Sequence, residues 1–277
     1  LLTAAADPLV FDFASRHLLF KDLLASLRQA QAGGSFVLPP LSTEFRDYAA
    51  WEQEHGGMGE EAGKASAGAT GFTTRRRTVV EPSELDALHE ATARHGLAAL
   101  DDLLIAAFCG ALRSEAVFAE SGCRWLLANR DRAGLEEVIG PLATPAAVPA
   151  APGDSPLSAL DMVRHLSREP GQSRDGQQEE LPLVLVDRAM AVHKVGDTRL
   201  QLQPPQGAPA AWRSSTLNMC FVASPTRVVA LAEYNHRVIA EDAVSRIQLA
   251  IRDNLRRLSG LEAPLTEEPR HFTAAKT

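Results

Sequence analysis

Between Ala98 and Arg113 the chain carries apolar residues at Leu100, Leu103, Leu104, Ala107, Phe108, Ala111 and Leu112. At 3.6 residues per turn they merge into one wide stripe, so a helix here is expected to lie against a sheet. The same pattern supplies the sheet. Arg124-Trp125-Leu126-Leu127-Ala128 is a short apolar run of buried-strand type. Thr216 to Ala223 and Arg227 to Tyr234, joined by Ser224-Pro225-Thr226, read as a β-hairpin. Ala240 to Leu258 is a second strong amphipathic helix, with Val244, Ile247, Ile251 and Leu255 on its inner face. Strands separated by long helices predict an α/β layer.

The start of the chain is organised around Asp7-Pro8-Leu9-Val10-Phe11-Asp12-Phe13-Ala14-Ser15. Leu1-Leu2-Thr3 reads as the end of an extended segment. Ser15 is placed as the cap of a helix through Leu18, Leu19, Leu23, Leu24 and Leu27, stopped at Gly33-Gly34. Leu38-Pro39-Pro40-Leu41 is an extended, Pro-fixed stretch. In the short helix that follows, Phe45, Tyr48 and Trp51 share a face, suited to core packing or, less simply, to a partner. Residues 55–74 lack an apolar period and read as a flexible crossing, after which Arg75 to Val80 is strand-like. Glu81-Pro82-Ser83-Glu84 starts a helix with Leu85, Leu88 and Ala91 inward, closed near His95-Gly96. Leu142 to Pro152 is a candidate edge strand and Ser155-Pro156 the start of another helix. Leu181 to Val186 suits either a helical turn or a strand. Residues 170–180 and 204–213 read as loops.

The balance of 28 Lys and Arg against 35 Asp and Glu gives −7, which argues against nucleic acid or an anionic membrane as partner. Arg75-Arg76-Arg77 is the one tight basic run and reads as a solvated strand edge. No apolar run reaches the ~18 residues of a membrane span, and no basic leader of a signal peptide is seen. Cys109, Cys123 and Cys220 form no C-x-x-C pair, so neither zinc nor a disulfide framework is indicated. The reducing cytoplasm is the expected compartment.

The eight histidines are scattered and none has H-E-x-x-H spacing, so no metal site is expected. There is no G-x-S-x-G, phosphate-cradling loop or dinucleotide fingerprint. His17 lies in the first helix, where a polar side chain usually faces solvent. Asp12 and Arg130 stand in loops next to strands; they form either a bidentate pair or two separately solvated charges.

Four segments carry a more specific signal. They are Leu38-Pro39-Pro40 with Phe45-Arg46-Asp47-Tyr48-Ala49-Ala50-Trp51, then Ala128-Asn129-Arg130-Asp131-Arg132 with Ile139-Gly140-Pro141, then Gln178-Glu179-Glu180-Leu181-Pro182, then Glu233-Tyr234-Asn235. Their order over residues 1–258 resembles the condensation domain of nonribosomal peptide synthetases, which has the chloramphenicol-acetyltransferase-like fold. The resemblance implies an α/β chloramphenicol-acetyltransferase-like lobe, a mixed sheet flanked by long helices, with the family's first lobe missing. It divides the chain into a lobe-junction segment at 1–50, the crossing at 51–75, a condensation-like C-terminal lobe at 76–261 and an exit linker at 262–277.

The family's catalytic motif is H-H-x-x-x-D-G-x-S ahead of a leucine-rich helix. Matching Ser15, Leu18-Leu19-Phe20 and Lys21-Asp22-Leu23 to that helix puts Asp7-Pro8 on the histidines, Asp12 on the aspartate and Phe13 on the glycine. A rival register puts Arg16-His17 on the histidines and Lys21 on the aspartate. By resemblance Asp12 pairs with Arg130, and Asn129, Arg132, Gly140, Tyr234 and Asn235 are motif-matched, whereas Thr144 stands where an Asn is expected. Proline has no proton to exchange, and loss of a positioned acid/base costs ~10²–10⁴ in rate. The expectation is a catalytically silent condensation-type domain of a nonribosomal peptide or hybrid polyketide assembly line. It would dock a carrier protein, a neighbouring assembly-line domain or a tailoring enzyme. No cofactor is implied beyond the phosphopantetheine arm of a carrier protein as substrate tether. The alternative is an active amide- or ester-forming acyltransferase with missing elements from another chain and His17 or an outside residue as base. A free-standing small-ligand binder is a third option that no residue favours.

Overall fold

The computed structural model describes residues 12–41, 43–55, 71–97, 99–128, 130, 134–140, 142–150, 155–168, 181–188, 192–202 and 216–261. Its centre is a six-stranded mixed sheet. The strands are β1 (Phe72–Val80), β2 (Cys123–Leu127), β3 (Thr144–Val148), β4 (Leu183–Arg188), β7 (Leu217–Ala223) and β8 (Val228–Asn235), with a separate hairpin of β5 (His193–Val195) and β6 (Thr198–Leu200). The order is β1-β8-β7-β4-β2-β3. The inner strands β7, β4 and β2 run parallel, and each edge is closed by antiparallel pairing, β8 and β1 on one side and β3 on the other.

The alternative left open for residues 181–186 is settled as a strand. Leu183-Val184-Leu185-Val186 is buried throughout, because a central parallel strand is covered on both faces. Val184 and Val186 join the main core, while Leu183 and Leu185 join a second cluster with Leu126, Cys220 and Val222. Three long helices make the main core on the first face: α4 (Leu100–Arg113), α5 (Pro156–Arg168) and α6 (Glu241–Leu258). The stripe on α4 is so wide that residues 103–109 are all buried. α3 (Leu85–Arg94) enters through Pro82–Glu84 and a capping box between Glu81 and Glu84, and leaves at Gly96, whose φ is 62°.

Three expectations shift. First, α1 (Ser15–Gln31) begins at Ser15 rather than being capped by it, and Asp12 Oδ1 accepts the Ser15 N–H at 2.8 Å in its place. The helix does stop at Gly33, with φ 72° and the Gly34 N–H bonded to Gln29 O at 3.0 Å. Second, its buried face centres on Phe20 and Leu24, leaving Leu19 44% exposed, because it packs on Val195 and Leu200 of the β5–β6 hairpin and on Leu202 just beyond it. Third, the crossing drawn at 51–75 is shorter: α2 (Phe45–His55) runs to His55 and β1 begins at Phe72. Residues 56–70 lie outside the described residues, as do the extended segment at 1–3, the loops at 170–180 and 204–213 and the tail at 262–277.

Tyr48 is buried and packs with Phe45 against Leu135, Val138 and Leu142, so these two aromatics serve the interior. The cysteines are core residues, but the fold does what sequence spacing hid. Cys109 on α4 and Cys123 on β2 meet at 3.4 Å between sulfurs, both as free thiols. The Cys109 hydrogen bond and burial push the Cys123 thiol well up. Among the described residues no helix is long and apolar enough to cross a membrane.

Phe108 is fully buried in the main core. Phe108→Ala is expected to lower unfolding free energy by about 3–5 kcal/mol, read as a fall in the urea midpoint at unchanged m-value.

Candidate functional site

Two polar hubs pin the first turn of α1 to the sheet, both at the carboxyl ends of parallel strands. The first is built on Asp12. Its Oδ1 accepts the Ser15 N–H at 2.8 Å, the Ser15 hydroxyl at 2.8 Å and Arg130 Nη2 at 2.9 Å. Its Oδ2 accepts Arg130 Nη1 at 2.8 Å and the Ala143 N–H at 3.0 Å. Arg130, just beyond β2, also donates to the carbonyls of Val138, Ala128 and Gly140 at 3.1–3.2 Å. The two side chains are 10% and 6% exposed, so this is a bidentate pair largely shielded from water, with its remaining hydrogen-bonding sites filled by backbone groups and the Ser15 hydroxyl.

Ser15 ties the helix to Gly140. The Ser15 hydroxyl faces the Gly140 carbonyl at 3.0 Å and accepts the Gly140 N–H at 3.0 Å. Gly140 is also required by packing, since a Cβ there would overlap the Phe45 ring. The Ile139-Gly140 and Phe45 motifs are therefore two sides of one contact.

The second hub is built on Asp187, the last buried residue of β4. Its Oδ2 accepts from Arg16, and its Oδ1 meets His17 Nε2 at 2.6 Å and the Arg188 N–H at 2.9 Å. His17 is therefore not the solvent-facing residue its sequence position suggests; its side chain is 23% exposed. With Arg16 already neutralising Asp187, the imidazole stays neutral and donates its Nε2–H. Burial first, then the Arg16 and Arg188 guanidiniums, hold its pKa down at about 4. Arg188 also reaches Asp101 at 3.3 Å, and burial raises the Asp101 carboxyl. Beneath Arg16, burial pushes the Cys220 thiol up to about 12. Nothing in the sequence near His17 announces Asp187, which stands 170 residues away.

The remaining candidates separate. Asp7, Pro8, Asn129 and Arg132 lie outside the described residues. Tyr234 is buried in the main core, on the opposite sheet face from the cluster that Phe13 joins. Asn235 Oδ1 accepts the Arg237 N–H at 3.0 Å, a turn-closing role after β8. Between α1 and the Pro-fixed segment lies a cleft of about 240 Å³, lined by Leu18, Ala25, Leu38, Leu41 and Ile139, with the Lys21–Glu137 ion pair at 2.6 Å also on its wall. Among the described residues no group of three His, Cys, Asp or Glu could hold a metal ion.

No protein-family model matches the chain, and no curated protein matches it in sequence. Solved structures do match. A condensation domain that mediates chain release from the enacyloxin polyketide synthase is 18% identical with a TM-score of 0.62, covering 94% of this chain and 59% of its own. The X-domain of teicoplanin biosynthesis, solved in complex with OxyB, is 18% identical at 0.61, covering 92% and 66%. The epimerization domain from the third module of tyrocidine synthetase B is 14% identical at 0.66, covering 91% and 67%. The fold is that of the condensation and epimerization domains of peptide and polyketide assembly lines. The chain spans about three-fifths to two-thirds of the length of these neighbours.

Arg130→Met is expected to cost about 3–5 kcal/mol, because it strands the Asp12 carboxylate in a shielded site. Adding Asp12→Leu should recover part of that loss in a double-mutant cycle of urea midpoints. The second hub predicts a pH dependence. His17 binds its proton less readily folded, at about 4, than unfolded, near its ordinary 6.5. Its contribution to stability is therefore complete above about pH 6.5 and is lost as pH falls toward 4. His17→Gln should flatten the slope of stability against pH across that window.

Proposed function

We propose that this chain is a condensation-type domain of a nonribosomal peptide or hybrid polyketide assembly line that is catalytically silent and serves as a docking module. The observation that carries the reading is an asymmetry in the motif loop. The part that organises the loop is present in full, as Asp12 held by Arg130, Ser15 and the Ala143 amide. The part that would move protons is not, since the histidine positions implied by the resemblance hold Asp7 and Pro8.

His17 is poorly suited to replace them. Its Nε2 is occupied by Asp187, and a base held near pKa 4 removes protons weakly at neutral pH. A docking role needs only the folded lobe. The teicoplanin X-domain, a neighbour in fold, is known in complex with OxyB, and that supports a partner-binding use of such a lobe. The partner proposed here is a carrier protein, a neighbouring assembly-line domain or a tailoring oxygenase, with the phosphopantetheine arm entering as a tether rather than as a cofactor.

The test combines this chain with carrier proteins loaded with donor and acceptor aminoacyl groups, and follows amide formation by mass spectrometry. No product above background is expected, and none from the Asp7→His, Pro8→His double variant, while retention of a carrier protein or oxygenase on the immobilised chain is expected. Amide synthesis by the unmodified chain would falsify the silent reading. Failure to retain any assembly-line protein would remove the docking role.

A further inference from the structure

Arg75-Arg76-Arg77 does lie on an edge strand, but its three side chains do not share one environment. In the register of β1 with β8, Arg76 sits opposite Leu231, while Arg75 and Arg77 sit opposite Ala232 and Ala230 on the face covered by α6. Gln248 of α6 fixes the helix there, its Nε2 donating to the carbonyls of Arg75 at 3.3 Å and Ala230 at 3.2 Å. One helical turn on, Arg252 comes beside Arg77, and a further turn on Arg256 reaches Glu84.

The carboxylates of this corner are already engaged. Glu241 pairs with Arg75. Glu84 Oε1 is taken by Arg256 at 2.7 Å with Arg252 at 4.0 Å, and Oε2 accepts the Glu81 N–H at 3.0 Å. Glu81 in turn serves the capping box. Four guanidiniums thus face three carboxylates, of which Glu241 and Glu84 pair with them and Glu81 is held by backbone. Among the described residues Arg77 forms neither ion pair nor side-chain hydrogen bond, and Arg252 Nε is buried without an acceptor. Partial burial, with Arg75 and Arg252 close by, lowers the pKa of the Arg77 guanidinium. This excess of positive charge stands out on a chain whose net charge is −7.

Crowded guanidiniums with donors to spare match a compact polyanion, because a tetrahedral dianion offsets their mutual repulsion and accepts from several N–H forks at once. We propose that Arg77, with Arg252 and Arg75, forms a binding site for an oxyanion of the phosphate class, either free phosphate or the phosphoryl group of a larger molecule. The site lies at the β1–α6 corner, and neither hub of the candidate functional site contributes to it. It stands whether or not the chain works in an assembly line.

The experiment follows thermal unfolding of the full chain, and isothermal titration, with inorganic phosphate against sodium chloride at equal ionic strength. Phosphate is expected to raise Tm saturably, beyond chloride. Arg77→Gln should weaken binding about tenfold or more, the loss expected for hydrogen bonds to a charged group. Arg77→Lys should retain part of the binding. Without phosphate, Arg77→Gln should match or exceed the parent Tm, since one of three crowded cations is gone. A parallel titration with glycerol 2-phosphate assigns the source: tighter binding than phosphate points to an esterified phosphoryl group, equal or weaker binding to the free ion. Equal effects of phosphate and chloride would overturn the site, as would undiminished binding by Arg77→Gln. A lower Tm for Arg77→Gln in the absence of phosphate would make Arg77 a structural residue and overturn it too.

Discussion

The pairing of Asp12 with Arg130 is the contact on which the rest of this lobe depends. It brings the loop ahead of α1 to the carboxyl end of β2 and meets the Ala143 amide just before β3. Through Ser15 it also fixes Gly140 against Phe45, which seats α2. Removing either charge would leave the other shielded and uncompensated, so the pair acts as an all-or-none fastening. The Asp187 hub repeats the arrangement one strand over, and together they hold the first turn of α1 at two points.

The Asp12 hub holds the turn ahead of α1 without an imidazole. Geometry rests on carboxylate, guanidinium, hydroxyl and backbone amides, none of which needs an imidazole at positions 7 and 8. His17 illustrates the point, as a histidine whose nitrogen is used in fastening a helix to a strand.

Much of the architecture was legible where local chemistry decides it. The helix start at Glu81-Pro82-Ser83-Glu84, the stop at Gly33, the stripe on α4 and the hairpin around Ser224-Pro225-Thr226 all express short-range rules. The β5–β6 hairpin was not legible, because three-residue strands such as His193–Val195 carry no readable alternation. Ser15 reads as a cap because only its side-chain type is visible in sequence, whereas its hydroxyl donates to Asp12 and accepts the N–H of Gly140, 125 residues away. Asp12 with Arg130 was reachable through motif resemblance and left undecided by pattern alone. His17 with Asp187 had no signal of either kind, since a polar residue early in a helix reads the same whether it meets water or a buried carboxylate.

The sequence separations at the two hubs have a consequence for synthesis. Asp12 meets a partner 118 residues downstream, and Arg16 one 171 residues downstream. A nascent chain therefore emerges with α1 long before the surface that receives it exists, and Phe20 and Leu24 must stay uncovered until β4 and the small hairpin after it leave the ribosome. Chaperone occupancy during translation should concentrate on that helix, and slowing the ribosome before residue 202 would lengthen the wait.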